Sequence, residues 1–257
     1  LHLTVAGSSC SIPRPGRACS CYLIESPGAT LVADLGSGAF ANLIRFVAAE
    51  DIDAVVISHM HADHFIDLIP MRYALKYGTR KSARPVLLYV PPGGADLLRR
   101  LTGAFERESH HDFLGEVFDI RTYDPTRTLE IGDARLRFAP TSHYIQTYAL
   151  RVEAGGASIA YSADTAPDDR VAVLARDADA FLCEATLSEA EEADVPRGHV
   201  SAREAARMAV RAGARRLILS HYPASADPTA LEAQARAIFA GPVSVADDGF
   251  RLALPAA

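Results

Sequence analysis

The ten residues from Ser58 to Asp67, SHMHADHFID, limit what this chain can become more than any other stretch. They follow Ala54-Val55-Val56-Ile57, an apolar run of strand length, and open a helix-like segment, so the cluster falls where a strand ends. His59, His61, Asp63 and His64 put three imidazoles and a carboxylate within six positions, all ligands for first-row metals once deprotonated. In an extended stretch His59 and His61 share a face, because side chains two apart point the same way. Asp63 and His64 come after the chain turns and address a second point. The spacing suits two metal ions side by side better than one closed tetrahedral site, and two ions need ligands from elsewhere in the chain. The competing reading is three surface histidines gathered by chance in a turn; a full His-x-His-x-Asp-His directly after an apolar strand argues against it.

The 257 residues, 49% of them hydrophobic, are enough for one large domain or two small ones with a sizeable core. No linker, low-complexity tract or clear repeat divides them, so a single domain over 1–257 is expected. No apolar run approaches the roughly 20 residues of a membrane span, and the opening LHLTVAG lacks the basic-then-apolar order of a secretion signal. Lys plus Arg number 26 against 32 Asp plus Glu, a net charge of -6 that gives no general attraction to a phosphate backbone. Cys10, Cys19, Cys21 and Cys183 are few and scattered, which points to reduced thiols and a cytoplasmic setting. Cys19-x-Cys21 lacks the further soft ligands of a zinc site, so buried small residues are the better account.

Along the chain, Leu1 to Ala6, Ser20 to Glu25 and Thr30 to Asp34 read as strands, the first two joined by the long polar loop GSSCSIPRPGRACS. Arg14 and Arg17 in that loop read as solvated surface residues, with anion binding as the alternative. Asp34 ends the third strand, either to cap a helix over Ala39 to Glu50 or to hold a ligand histidine in place. A helix from His64 to Tyr77 interrupted at Pro70, a strand over Val86 to Val90 and a helix over Pro92 to Leu101 follow. The pattern is weak from Thr102 to Asp124; His110-His111 there read as an exposed loop, with a lid or substrate contact as the alternative. Hairpins then lead into Thr141-Ser142-His143 and into Ser162-Ala163-Asp164-Thr165, where Asp164 either bridges metals or caps a helix near Pro167. Ala180 to Cys183 is a strand delivering Glu184; Ser201 and Glu204 form a capping box for a helix over Ala202 to Ala212, with His199 just before it. Leu217 to Leu219 is a strand ending in Ser220-His221. Each half of the chain holds antiparallel strands followed by strand-helix units. Two facing sheets with helices outside both would bring His59, His143, Asp164 and His221 to one edge.

On these residues the chain resembles the metallo-β-lactamase-fold hydrolases, and within them the ribonuclease Z-like branch. HMHADH, Ser142-His143, Tyr161-Ser162-Ala163-Asp164-Thr165, Glu184-Ala185-Thr186, Gly198-His199-Val200-Ser201 and Leu219-Ser220-His221 match that branch in order and spacing, and the first loop is similar too. The resemblance covers almost the whole chain. It implies an α/β, four-layer αββα sandwich of two mixed sheets. It further implies His59, His61 and His143 on one divalent ion and Asp63, His64 and His221 on the other, with Asp164 bridging. Zinc is the expected metal, with manganese or ferrous iron as alternatives.

The implied chemistry is two-metal hydrolysis by a hydroxide held between the ions, attacking phosphorus or a carbonyl carbon. Asp63 would take a proton from the nucleophile. His199 would contact the phosphate and protonate the leaving oxygen, with Glu184 orienting it. Ribonuclease Z grips transfer RNA with a long basic, glycine- and proline-rich arm, and no such insertion is found here. The expected substrate is therefore a small phosphodiester, such as a cyclic nucleotide or short nucleotide; nucleic acid and membrane partners are not expected, and a homodimer is. A lactonase or thioesterase is the first alternative. A redox di-iron protein is disfavoured by His61, where iron members of the fold commonly place a carboxylate, and a binding module that merely kept the fold is disfavoured by the complete ligand set.

Overall fold

The computed structural model describes residues 1–80, 82, 84–104, 112–188 and 197–255. In chain order these form β1 (His2–Gly7), β2 (Cys21–Ser26), β3 (Ala29–Ala33), α1 (Ala39–Leu43), β4 (Ala54–Val56), α2 (Ala62–Phe65), α3 (Leu68–Tyr77), β5 (Val86–Val90), α4 (Gly94–Thr102) and β6 (Phe118–Thr122). There follow β7 (Leu129–Ile131), β8 (Ala134–Pro140), β9 (Tyr148–Ala154), β10 (Ala157–Tyr161), α5 (Asp169–Leu174), β11 (Ala180–Glu184), α6 (Ala202–Ala212), β12 (Leu217–Ser220), α7 (Pro228–Arg236), β13 (Val243–Val245) and β14 (Arg251–Ala253). One sheet runs β14-β1-β2-β3-β4-β5-β6 and the other β13-β12-β11-β10-β9-β8-β7. In each, an antiparallel meander (β1-β2-β3, β7-β8-β9-β10) passes into parallel strands (β3-β4-β5-β6, β10-β11-β12-β13).

Strand alternation explains why there are four layers. Tyr22 and Ile24 of β2, Ile159 and Tyr161 of β10, Leu182 of β11 and Ile218 of β12 meet in one core between the sheets. Their neighbours Cys21 and Leu23 face outward to a second core under Leu43, Leu68, Met71 and Leu98 of the helices. Phe181, Cys183, Leu217 and Leu219 face a third core under α6 and α7. A strand buried on both faces reads as a continuous apolar run, as β4 and β10 to β12 do. The architecture is the two-sheet, helix-flanked metallo-β-lactamase fold that the sequence implies. All four cysteines are buried and free, as small core residues. Among the described residues, no helix is long and apolar enough to cross a membrane.

Several local expectations need correction. The helix expected over Ala39 to Glu50 ends at Leu43, where Phe46 N–H turns back to the Leu43 carbonyl; a 3-10 turn at Ala49–Asp51 follows. Ile44, which the apolar spacing of that helix puts on one side with Phe40, Leu43 and Val47, is exposed. Pro70 does not interrupt α3: it lies in the first turn, where its missing N–H removes no intrahelical bond, and the break falls earlier, between α2 and α3. β6 lay unread within the weak 102–124 stretch, because its half-buried register shows little apolar contrast. Asp168, not Asp164, caps α5, accepting from Arg170 N–H at 2.8 Å. His110-His111 lie outside the described residues.

The first loop is not loose surface. Asp248, beyond β13, accepts from Ser8 N (2.9 Å), Ser8 Oγ (2.8 Å), Ala18 N (2.7 Å) and Asn42 Nδ2 (2.8 Å), pinning both ends of the loop and α1. Arg17 is not free for an anion: it pairs with Asp247 at 2.5 Å and hydrogen-bonds the Tyr222 hydroxyl. Arg14 reaches the Ala224 carbonyl at 3.1 Å. Asp248→Ala would strand the buried Ser8 and Ala18 amides. Chemical denaturation is expected to show a loss of about 2 kcal/mol, and an unchanged midpoint and slope would contradict this account of the loop.

Candidate metal centre

Every candidate ligand sits at the exit of a strand, along one rim of the sandwich. His59, His61, Asp63 and His64 follow β4; His143 follows β8; Asp164 follows β10; His221 follows β12. Three exits are backbone-strained: Asp34 (φ 58°), Ala163 (φ 49°) and His221 (φ 50°) take left-handed geometry without being glycine. Such strain of roughly 1–3 kcal/mol per residue persists where surrounding contacts over-determine it. Glycine is required beside it at Gly36, where a Cβ would sit 1.9 Å from the Asp63 carbonyl oxygen.

The side chains gather into two sets that share Asp164: His59, His61, His143 and Asp164, and Asp63, His64, Asp164 and His221. In the first, His61 Nδ1 lies 3.1 Å from both His59 Nε2 and His143 Nε2, and Asp164 Oδ2 lies 3.7 and 3.8 Å from those two Nε2 atoms. In the second, His64 Nε2 is 3.4 Å from Asp63 Oδ2 and from Asp164 Oδ2, and His221 Nε2 is 3.5 Å from Asp63 Oδ2 and Asp164 Oδ1. Atoms each about 2.0–2.1 Å from one ion lie about 3–3.5 Å from one another, close to this spacing. The buried atoms His64 Nε2, Asp164 Oδ1 and His221 Nε2 have no hydrogen-bond partner. Such orphans are expensive in a protein interior, and all three converge on the second set. The residues fit a pair of divalent cations.

The remote ring nitrogens decide which lone pairs are free. Ser58 Oγ donates to Asp34 Oδ2 (2.8 Å), so its oxygen accepts from His59 Nδ1 (2.9 Å). Thr186 Oγ1 donates to the His221 carbonyl (2.9 Å) and accepts from His221 Nδ1 (2.9 Å). His143 Nδ1 donates to the Gly198 carbonyl and His64 Nδ1 to Asp34 Oδ2, both at 2.8 Å. Four imidazoles are thereby held as Nδ1–H tautomers with Nε2 turned to the centre, the arrangement metal-binding histidines require.

Electrostatics agree. Burial pushes the His59, His61 and His143 imidazoles below their ordinary pKa, leaving them neutral. Burial opposes ionisation of Asp63 and Asp164, but the imidazoles of His221 and His64 outweigh it and hold both carboxylates well below their usual range. His64 goes the other way: burial lowers it, and Asp164 and Asp34 more than compensate. A proton on His64 offsets charge that a cation would otherwise balance.

Beside the shared carboxylate, His199 Nδ1 lies 3.0 and 3.1 Å from the two Glu184 oxygens and 4.0 Å from Asp164 Oδ2. Burial works against its charge, but Glu184 prevails and raises it to about 9. Glu184 is itself fixed by Thr165 N–H at 2.7 Å. All nine residues singled out by the sequence thus meet at one rim. What that reading left open or missed is their support: Asp34 holds His64 rather than capping α1, whose start is met by Asp67 accepting from Phe40 N–H. Ser58, Thr186 and the Gly198 carbonyl carried no signal beyond their adjacency to the histidines. A cleft of about 290 Å³ opens over the centre, lined by Cys10, Ser11, Tyr144, Thr186 and the ligands.

With this geometry in view, likeness to known proteins becomes informative. The Beta-lactamase superfamily domain matches residues 33–222. "Probable metallo-hydrolase YhfI" of Bacillus subtilis is 30% identical over 252 residues, covering 97% of this chain and 98% of that protein. The crystal structure of YhfI superposes with a TM-score of 0.87 at 28% identity, covering 98% of both chains. Ribonuclease Z of Myxococcus xanthus is 30% identical over 308 aligned positions, with 99% of this chain and 98% of that protein covered. Since this chain has 257 residues, at least 51 of those positions have no counterpart in it. The chain belongs to the β-lactamase superfamily and has its metallo-hydrolase fold. Within that class it is related to YhfI and to ribonuclease Z.

Asp34→Ala should weaken retention of the second-set ion roughly 10–100-fold. Competition with a chelator measures this, against a wild type expected to carry two ions per chain by elemental analysis. Equal retention in the variant would remove Asp34 from the account.

Proposed function

We propose that the protein is a dinuclear metal-dependent phosphodiesterase acting on a small phosphodiester such as a cyclic nucleotide or short nucleotide. The observation that carries this reading is the His199–Glu184 pair set beside Asp164. An alkyl phosphodiester, like a lactone, expels an alkoxide that must take up a proton, whereas a thioester expels a thiolate that departs without one, so an acid set beside the centre speaks for an oxygen leaving group. Two divalent cations, zinc foremost, would supply an activated water and stabilise charge on the phosphoryl oxygens.

The chain's own residues do the rest. Asp63, which reaches the cleft wall and is held ionised, accepts a proton from the attacking water on its carboxylate. His199 has Nδ1 occupied by Glu184, which leaves Nε2 to pass a proton to the departing oxygen. Glu184 fixes the ring and favours its protonated form. His59, His61, Asp63, His64, His143, Asp164 and His221 would hold the ions. The small cleft, the net charge of -6 and the positions lacking against ribonuclease Z all speak against transfer RNA as substrate.

Purified protein with Zn2+ or Mn2+ is expected to hydrolyse bis(p-nitrophenyl) phosphate, and His61→Ala to abolish turnover. With a cyclic nucleotide, whose leaving group is an alkoxide, His199→Ala should lower kcat by about 10²–10⁴-fold while metal content stays at the wild-type level, and with p-nitrophenolate, which departs without a proton, the loss should be much smaller. No phosphodiester turnover with any metal, or faster cleavage of lactones or thioesters, would replace this reading with the carbon-ester one.

A further inference from the structure

Tyr144 is the residue at the rim that the chemistry above does not use. It is 61% exposed, yet it is not on a loose segment. Thr141 N–H bonds to the Thr147 carbonyl (3.0 Å), Thr141 Oγ1 to the Asp164 carbonyl (2.8 Å), and Ala166 N–H to the Ser142 carbonyl (2.7 Å). His143 Nδ1 ties the same loop to Gly198. The ring packs beside His143 and His199, with centroids 5.0 and 5.8 Å away. Position 198 must be glycine for this: a Cβ there would lie 2.9 Å from Tyr144 Cε2 and 2.8 Å from His143 Nδ1. A large aromatic side chain is therefore held out at the mouth of the cleft by a pinned loop and a tailored glycine. A ring displayed in a fixed orientation loses little entropy when a ligand settles on it.

Among the described residues no lysine or arginine lines the cleft. Beyond the metal centre and His199, the wall offers Cys10, Ser11, Ala62, Thr186 and this ring. Among the described lining residues, the side chain best suited to tell one diester from another is this π-face. We infer that Tyr144 is a specificity-determining platform on which the base of a nucleoside phosphodiester stacks, while its phosphate lies over the His/Asp centre. This rests on the phosphodiesterase reading and narrows it from any small diester to one carrying a planar heterocycle within a nucleoside's reach of the phosphorus. Base–aromatic stacking tolerates any base, so the preference is for nucleosides as a class.

The test compares two substrates with the same leaving group, thymidine 5′-(p-nitrophenyl phosphate) and methyl p-nitrophenyl phosphate, on the metal-loaded protein. The kcat/KM ratio should favour the nucleoside by about ten-fold or more; Tyr144→Leu should bring it close to one and Tyr144→Phe should keep it. A wild-type ratio near one, or a ratio that survives in Tyr144→Leu, overturns the platform. Calorimetry with thymidine 5′-monophosphate and methyl phosphate separates the two claims. If neither diester is cleaved but the nucleotide binds about ten-fold tighter and loses this in Tyr144→Leu, the platform stands and the reaction assigned above falls; equal binding of the two ligands overturns the platform whatever the turnover.

Discussion

The carboxylate of Asp34 is the point on which this structure depends. It is fully buried, and a buried charge costs several kcal/mol unless its lone pairs are met. Here they are met by Ser58 N–H and Oγ–H, His64 Nδ1–H and the Tyr161 hydroxyl, at 2.7 to 2.8 Å. Those donors come from the candidate metal-binding loop after β4 and from β10 of the opposite sheet. One side chain thus joins the sheets and sets two imidazoles: His64 directly, and His59 through the Ser58 hydroxyl, whose proton it claims. The left-handed backbone at Asp34 is the local cost of aiming the carboxylate inward.

Negative charge is then concentrated at the rim. Asp34, Asp63, Asp164 and Glu184 approach one another around six imidazoles, with three buried polar atoms left unpaired. Hydrogen bonds within the protein do not close this arrangement, since His64 Nε2 and His221 Nε2 face carboxylate oxygens at 3.4–3.5 Å. That is beyond a good charge-assisted bond and suited to a shared cation. On the proposed function, a rim of this kind on a chain of net charge -6 would disfavour a long polyanion over a single phosphate.

Which parts were legible in the sequence follows from how local each signal is. His59, His61, Asp63 and His64 announce themselves because four ligands lie within six positions after an apolar strand. His143, Asp164 and His221 are each ordinary loop residues in isolation; only their repeated placement at strand exits, and the family resemblance, joins them. The sheets were legible because doubly buried strands such as Val86–Val90 are apolar throughout, whereas β6, half-buried, gave no contrast. The end of α1 at Leu43 was not legible, for no proline or glycine marks it. The supporting shell was hardest: Asp34 carried two readings that only its partners in space could decide. Tyr144 carried no signal, because the room for its ring is left by a glycine 54 positions away.

Neither half of the chain contains a site. The first contributes His59, His61, Asp63 and His64, the second His143, Asp164 and His221, and each of the two sets draws on both halves. A cation in either set would therefore be held from both sheets, which Asp34 and Tyr161 also join. Binding energy for the ions is in part packing energy for the sandwich, because the ligands converge only when the sheets are docked. The same logic places the candidate proton donor: Glu184, at the end of β11, fixes His199 ahead of α6, and the Gly198 carbonyl beside it holds His143. A shift of that short segment would disturb a candidate metal ligand, His143, and the proposed proton donor, His199, together. The capping box of Ser201 and Glu204 and the Arg197–Glu204 ion pair at 2.6 Å hold it in place. Stability at the start of one helix is in this way built into the geometry of the candidate site.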